Sequence, residues 1–456
     1  MDGRRLVAGP PGSLWPAAGL VGDFLFLGCH TPHRPDTGEI VDSTAALPAE
    51  AVGRLRTGSA FVDIRSDRFA AQTWQVVQNL AATLAAGQSS LRHLALLRVV
   101  LRRAEDAPFL ARILSVLIPG QLPAVDVMVC STPGSDPDID ISLDGVATRG
   151  DADPPEHVVQ PEMAALSAPY ATLSKAGPLV FTSAIPGVDP ATGDAPDRAR
   201  ELPERFRALV DACQPADREV ERFLVQQAAM WRNLRRVLDQ AGIAPSDVLY
   251  HNAWLLRPMQ FLAYGSVARA LGNDFAGFAL SCFPVTALPG TPSLWSGRIV
   301  ARNPAGTMEK RIAGEPHALS RSYHGIVQVG PIVMSAGEVP IDLSVPRLVE
   351  RPQHLSAPAR GIAAGRLDRA NPVTVQASHI YALLIQGLRS YDVELRDVVH
   401  QTIYLADLAD LPAVLVVASA MFDGRLPATS IVPVLGATAY DGARIEIEVT
   451  ADAGLG

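Results

Sequence analysis

The nine residues 72–80, QTWQVVQNL, recur as QQAAMWRNL at 226–234 and, more distantly, as QASHIYALL at 376–384. In the first two copies apolar residues return at steps of three and four, which is typical of an amphipathic helix. The glutamines that open these stretches are separated by 154 and 150 residues. The chain therefore carries one helix signature three times at a nearly constant spacing.

The surroundings of each copy repeat as well. Before each helix lies a pair of short strands joined by a turn, and after it come a β-rich run and a second amphipathic helix. The β-rich runs are 94–101, 248–256 and 398–405, and the second helices lie near 108–117, 259–271 and 411–422. Two further strands close each unit, so the order is ββαβαββ. A repeat this long is a domain rather than a solenoid turn, and the sequence predicts three α+β domains, at 1–155, 156–312 and 313–456.

Composition excludes several classes of protein. Apolar residues make up 48% of the 456 residues, yet no apolar run approaches a membrane span. The net charge is −8 without basic clusters, which argues against nucleic-acid binding. Because no secretory signal is apparent, we expect a cytoplasmic protein with a small-molecule substrate.

Metal and cofactor motifs are missing from the sequence. The four cysteines lie far apart without a CxxC pair, and the His30-x-x-His33 turn lacks a nearby third ligand. Neither a nucleotide-binding loop nor a serine-hydrolase or zinc-protease signature occurs. The sequence predicts no metal and no cofactor.

The third unit resembles a known family along its length. The series comprises 322–323 (SY), 329–330 (VG), 335–338 (SAGE), 398–408 (VVHQTIYLADL) and 426–429 (LPAT), followed by a strand with Glu446. This series is similar to the Rid (YjgF-like imine/enamine deaminase) family. The resemblance implies a chorismate-mutase-like fold, a trimer with a central β-barrel, and active clefts between subunits. Three units in one chain then imply an intramolecular pseudo-trimer that needs no further oligomer but permits one.

The resemblance also indicates where a site should lie. Family deaminases hold the substrate carboxylate with an arginine, a charge-assisted contact worth roughly 1.5–3 kcal/mol. The matching positions here are Val125, Leu280 and Thr429, so all three units lack it. The cleft tyrosine matches Tyr170 and Tyr323, the last-strand glutamate matches Glu446 alone, and a cleft cysteine matches Cys282.

Other polar residues stand where the family usually has bland ones. Arg98, His251 and His400 lie on the β-rich runs, and Glu338 replaces a glutamine. A histidine and a glutamate in an enclosed cleft can form an acid–base pair, although either histidine can equally be structural and Cys282 a core residue. We predict that Glu446, Tyr323 and Glu338 are catalytic. The predicted substrate-binding residues are Tyr170, His251, His400, Arg98, Cys282 and Thr429.

The function predicted from this pattern is that of a cofactor-independent enzyme with one specialised inter-domain cleft. Imine, enamine or carbonyl chemistry fits, as hydrolysis, tautomerisation, dehydration or cyclisation, and a place in secondary metabolism suits the divergence. The alternative is a non-catalytic ligand-binding or scaffolding protein. A third reading, a chorismate-lyase-type hydrolase, lacks hallmark residues here. Insertions near 40–67, 194–220 and 343–371 either cap the clefts or merely elaborate the surface.

Overall fold

The computed structural model describes most of the chain. The described residues are 5–10, 13–134, 136–257, 267, 277–315, 317, 323–363, 371–436 and 440–454. Most of the helix expected at 259–271, Ser322 of the SY motif and part of the 343–371 insertion lie outside them. The first, second and third units are residues 1–155, 156–312 and 313–456, as the sequence predicts.

The first unit contains six strands and four helices. They are β1 Arg5–Val7, β2 Ala18–Val21, β3 Phe24–His30, α1 Ala49–Leu55, α2 Ala60–Arg65, α3 Asp67–Ala86, β4 Leu94–Leu101, α4 Ala107–Leu117, β5 Leu122–Val129 and β6 Ile141–Thr148.

Residues 156–302 add eight strands and three α-helices among the described residues. They are β7 Glu156–Val158, α5 Ala164–Ser167, β8 Tyr170–Ala171, β9 Leu173–Ala176, β10 Leu179–Thr182, β11 Ile185–Pro186, α6 Glu204–Ala212, α7 Arg218–Gln240, β12 Val248–Leu255, β13 Ala279–Pro284 and β14 Trp295–Arg302.

The remaining described elements form a third main sheet, a separate two-stranded sheet of β18 and β19, and their helices. They are β15 Lys310–Arg311, β16 Ile326–Val329, β17 Ile332–Ser335, β18 Ile341–Asp342, β19 Arg347–Leu348, α8 Ala357–Ala363, α9 Pro372–Leu388, β20 Val398–Leu405, α10 Leu411–Met421, β21 Ala428–Pro433 and β22 Ile445–Asp452.

The three main sheets share one strand order. The first runs β1-β2-β3-β6-β4-β5, with β8 added at its edge, and the third runs β15-β16-β17-β22-β20-β21. The second runs β7-β9-β10-β14-β12-β13. In each sheet the last strand of the unit is inserted beside the middle strand, and the middle strand pairs in parallel with the strand that follows it, as β4 does with β5. The added β8 is also parallel to β5. The fold is α+β, and the ββαβαββ order is confirmed for the first and third units.

One face of each sheet is covered by the unit's own long helix. On α3, Phe69, Val76, Leu80 and Leu84 are buried because their three- and four-residue spacing places them on the side that faces the sheet. The corresponding helices α7 and α9 pack in the same way. No helix in the described part of the chain has the length and apolar character to cross a membrane.

The edge strand of each unit meets the next unit in a cycle. The Val125 carbonyl of β5 accepts from the Ala184 N–H at 3.1 Å, and the Leu280 carbonyl of β13 accepts from the Gly337 N–H at 3.1 Å. Thr429 of β21 lies against Gly28 of β3. The sheets themselves stay separate among the described residues, so the expected closed central barrel is not seen.

The insertions thicken the helical layers of their own units. In the first, Arg112 of α4 donates to the Leu55 carbonyl of α1. In the second, α6 packs on α7, and in the third α8 packs on α9. The parts of the insertions that the structure describes therefore extend the side of the sheets that already carries the long helices.

Candidate functional site

The three junctions between units are the candidate clefts, and cavities lie at two of them, beside Val125 and beside Cys29. Each combines the edge strand of one unit with the segment after the second long strand of the next. We name them by their units: the first–second cleft at Val125, the second–third cleft at Leu280 and the third–first cleft at Thr429. These are the positions at which the resemblance places the carboxylate-binding arginine, and each lies at a junction.

The second–third cleft brings together four of the residues singled out from the sequence. Glu446 lies on β22, Glu338 follows β17, Tyr323 precedes β16, and Cys282 lies on β13 of the neighbouring unit. Each is buried, with between 4% and 8% of its surface exposed. Two strands position the glutamates, since the backbones of Glu338 and Ile447 exchange hydrogen bonds of 2.9 and 3.2 Å. The cleft thus contains two carboxyl groups, a phenol and a thiol.

A histidine that the sequence pattern did not single out completes this cluster. The ring of His317 stacks on Tyr323 with centroids 4.9 Å apart, and its Nδ1 lies 3.2 Å from the Tyr323 hydroxyl. Its Nε2 lies 3.7 Å from Glu338 Oε2. When Nδ1 accepts from the hydroxyl, the Nε2–H faces the Glu338 carboxylate. Glu338, His317 and Tyr323 therefore form a continuous polar row.

Burial and neighbouring charges set the protonation of the cleft. Burial, the charge of Glu448 and the charge of Glu338 together raise the pKa of Glu446 well above its usual range. Burial, with Glu338 and Glu446 nearby, also raises the pKa of Tyr323. Burial beside Glu446 raises the pKa of the Cys282 thiol. Glu446, Tyr323 and Cys282 consequently favour their neutral forms.

The other two clefts lack the glutamate. The pairing of β6 and β14 places Ser142 and Ser296 at the position that Glu446 occupies on β22. Tyr170 lines the first–second cleft, where burial raises its pKa, and Trp15 lines the third–first cleft. Both clefts therefore keep an aromatic wall without the buried carboxyl group.

Comparison with known proteins supports the resemblance for one part of the chain. A family model described as Endoribonuclease L-PSP matches residues 314–453. Matching solved structures include a Rid-family protein from Yersinia pestis, which is 21% identical, covers 32% of this chain and 99% of that one, and has a TM-score of 0.25. Residues 314–453 belong to the Rid family.

Two more solved structures are similar to this chain. The YjgF gene product of E. coli is 21% identical, covers 28% of this chain and 87% of its own, and has a TM-score of 0.22. A chorismatase is 12% identical over 79% of this chain and 93% of its own, with a TM-score of 0.45. No curated protein matches the chain.

Arg98 and His400 lie in a polar cluster where the three sheets face one another. The Arg98 guanidinium donates to both carboxylate oxygens of Asp144 at 2.7 and 2.8 Å. It also donates to Thr402 and Tyr404 of the third unit at 3.2 and 3.1 Å. His400 lines the same cavity, and burial lowers its pKa to about 4. We call this group the axial cluster.

His251 and Thr429, also predicted to bind substrate, contact other side chains and backbone groups of the chain. His251 is 0% exposed, and its ring lies 4.4 Å from that of Trp231. Burial, reinforced by the charge of Arg298, lowers its pKa to about 3. The Thr429 hydroxyl donates to the Pro427 carbonyl and accepts from Gln401. Neither side chain joins the Glu446 cluster.

No cluster of three or more histidine, cysteine or acidic side chains suited to a metal ion occurs among the described residues. His30 of the His30-x-x-His33 turn instead forms hydrogen bonds with the Gly28 carbonyl and the Thr83 hydroxyl.

Two functional candidates were missed from the sequence, His317 and Glu448. No motif marks His317, whereas Glu448 was detectable, because it lies two residues from Glu446 on one strand face.

Proposed function

We propose that this chain is a cofactor-independent enzyme that performs acid–base chemistry on a small imine, enamine or related carbonyl compound. The second–third cleft is the proposed site. The supporting observation is the convergence of Glu446, Glu338, Tyr323 and His317, in which the two carboxyl groups have different surroundings. Paired titratable groups with different environments suit the separate roles of acid and base.

Glu446 is the proposed general acid, because a buried carboxyl group that keeps its proton can deliver it to substrate nitrogen or oxygen. Glu338 with His317 is the proposed base that takes a proton from water. For an imine, Glu446 protonates the nitrogen while water adds to the carbon and gives its proton to the base. The base then returns its proton to the nitrogen of the resulting carbinolamine, the C–N bond breaks, and the hydroxyl proton passes back to Glu446. The products are a carbonyl compound and an amine or ammonia. Tyr323 orients the substrate.

The proposed substrate lacks the carboxylate that the family's arginine would hold. Leu280 stands at that position, and within the described residues no arginine or lysine pairs with Glu338 or Glu446. Two carboxyl groups without a cation disfavour an anionic ligand and suit a neutral or cationic one. A protonated imine or an amine-bearing carbonyl compound has this property, and such compounds fit the proposed place in secondary metabolism.

The proposal includes an intramolecular pseudo-trimer with a single active cleft. The cyclic contacts at Val125, Leu280 and Thr429 support this arrangement. Joining the units in one chain makes their docking independent of protein concentration. It also allows two clefts to lose the acid, as Ser142 and Ser296 indicate, while the third keeps it.

The second candidate function is ligand binding without catalysis. The first–second cleft favours it there, because Val125, Val127, Leu166, Pro169 and Leu288 line it and no buried carboxyl group corresponds to Glu446. Apolar clefts with few polar groups commonly bind small molecules. Turnover that depends on residues of the second–third cleft would support catalysis over ligand binding alone.

The test combines a substrate screen with substitutions in matched clefts. A panel of imines, enamines and amino ketones is screened by thermal shift and by release of amine or ammonia. With any active compound we expect Glu446→Gln to lower kcat about 100-fold or more, and Tyr323→Phe to lower it about tenfold. The control Ser296→Ala alters the corresponding position of the first–second cleft and should leave turnover unchanged. Full activity of both Glu446→Gln and Glu338→Gln would refute the assignment.

A further inference from the structure

Glu448 lies two residues beyond Glu446 on β22, and both side chains therefore project from the same face of the strand. Ser281 of β13 lies near both carboxyl groups. Its hydroxyl donates to Glu448 Oε2 at 2.7 Å. The point that a Cβ on Gly337 would occupy lies 1.7 Å from Glu446 Oε1 and 2.9 Å from Ser281 Oγ. The axial cluster thus extends to the edge of the second–third cleft.

The carboxyl group of Glu448 is surrounded by hydrogen-bond donors and a guanidinium group. Tyr404 donates to its Oε1 at 3.0 Å, and Tyr250 and Ser281 both donate to its Oε2. The Nη1 atom of Arg98 lies 3.7 Å from Oε1. A carboxylate that accepts three hydroxyl hydrogen bonds beside a guanidinium group is stabilised as an anion. The three units all contribute to this arrangement.

We propose that Glu448 is a positioning residue that keeps the proton on Glu446. Its negative charge, fixed by the axial cluster, opposes ionisation of the carboxyl group that shares its strand face. Two carboxyl groups at alternate positions on one strand face do not ionise independently, and the charge of one opposes ionisation of the other. The catalytic meaning of this arrangement rests on the proposed function, whereas the protonation state of Glu446 can be measured without any substrate.

The groups that face Glu446 from the packed elements leave few other sources of charge. Cys282 on β13 and Tyr323 before β16 both have raised pKa values and remain neutral. Glu338 is the second neighbouring carboxyl group, and it is paired with His317. Matching strand positions in the first unit hold Ser142 and Asp144, and in the second unit Ser296 and Arg298. The two-carboxyl arrangement occurs only on the last strand of the third unit.

The test is infrared difference spectroscopy of the full chain across a pH series. Subtracting the Glu446→Gln spectrum from the wild-type spectrum isolates the protonated carboxyl band of Glu446. In the wild type we expect that band to persist at neutral pH. In a Glu448→Gln background, the midpoint at which it disappears should fall by about one pH unit, a tenfold change in proton affinity. The substitution keeps the size of the side chain and an oxygen acceptor for the hydroxyl groups.

Asp144→Asn is the matched control, because it removes another carboxylate of the axial cluster, one that lies on β6 of the first unit and not beside Glu446 on β22. It should leave the Glu446 band unchanged. An equal midpoint in the wild type and Glu448→Gln overturns the proposal. If Glu448→Gln does not fold, a wild-type Glu446 that ionises in the ordinary glutamate range overturns it as well.

The two proposals fail in different ways. A Glu446 band that shifts as expected, combined with full turnover of Glu446→Gln, refutes the catalytic assignment and supports the role of Glu448. Lost turnover of Glu446→Gln with no shift of the band in Glu448→Gln refutes only the role of Glu448.

Discussion

Gly337 leaves the space that the carboxyl group of Glu446 occupies. A Cβ at this position would lie 1.7 Å from Glu446 Oε1, a distance that no real contact tolerates. The residue at this position changes together with the residue at the position of Glu446. In the second unit, Ala184 takes the place of Gly337 and Ser296 that of the glutamate. In the first unit, the corresponding residues are Cys29 and Ser142. The unit with the large glutamate side chain therefore has glycine opposite it, and the units with serine have a larger residue there.

Gly337→Ala should therefore displace Glu446 and reduce turnover about 100-fold, the usual effect of moving a catalytic group by about 1 Å. Gly325→Ala is the control in the same cleft, since its Cβ would meet Glu338 and His317 at ordinary contact distances of 3.4 and 3.6 Å. Steady-state kinetics with any compound from the screen, together with thermal unfolding, measure both variants. Unchanged kcat in a folded Gly337→Ala would contradict the crowding argument.

Sequence reasoning at single residues succeeded where a family motif supplied the position. It placed Glu446, Tyr323, Glu338 and Cys282, and the structure brings these four together; their roles stay predictions. Arg98 and His400 were grouped with them because polar residues on a strand suggest a site. Both faces of these sheets are covered, and alternation alone does not tell which face borders a cleft. That choice depends on how the units dock.

The order of helices and strands was predictable because each unit repeats its hydrophobic periods. The helical segments of the insertions were harder to place, since short stretches such as Ala49–Leu55 owe their positions to tertiary contacts. Arg54 donates to the Val116 carbonyl, and Leu55 is buried beneath the helical layer. Such contacts join residues some 60 positions apart in the chain, which local propensity does not register.

The residues that precede the long helices lead to a prediction about helix capping. Asn371 caps α9, because its side-chain oxygen accepts from the Val373 N–H at 3.0 Å. Ser66 precedes α3 but its hydroxyl donates backwards to the Val62 carbonyl. Asn371→Ala should therefore lower the free energy of unfolding by about 1 kcal/mol, and Ser66→Ala by less. Urea titrations compare the two variants, and an equal loss in both would argue against a capping role for Asn371.

At the scale of the whole molecule, the axial cluster is possible because the three units differ in sequence. The cross-strand pairs at the matching axial position are Arg98 with Asp144, Asn252 with Arg298, and Thr402 with Glu448. In a trimer of identical subunits, each of these residues would occur three times around the axis. Three copies of Arg98 or of Glu448 at close range would repel one another. A single chain permits one arginine, one aspartate and one glutamate to pair instead.

Arg98→Met tests this dependence, because it leaves the buried Asp144 and the partly buried Glu448 without their cation. We expect a loss of about 3–5 kcal/mol in the free energy of unfolding. The control is Arg396→Met, which removes an exposed ion pair with Glu394 at 3.1 Å and should cost less than about 1 kcal/mol. Adding Asp144→Leu to Arg98→Met removes one stranded charge and should restore part of the loss. Equal unfolding midpoints for Arg98→Met and the wild type would mean that the axial cluster does not hold the three units together.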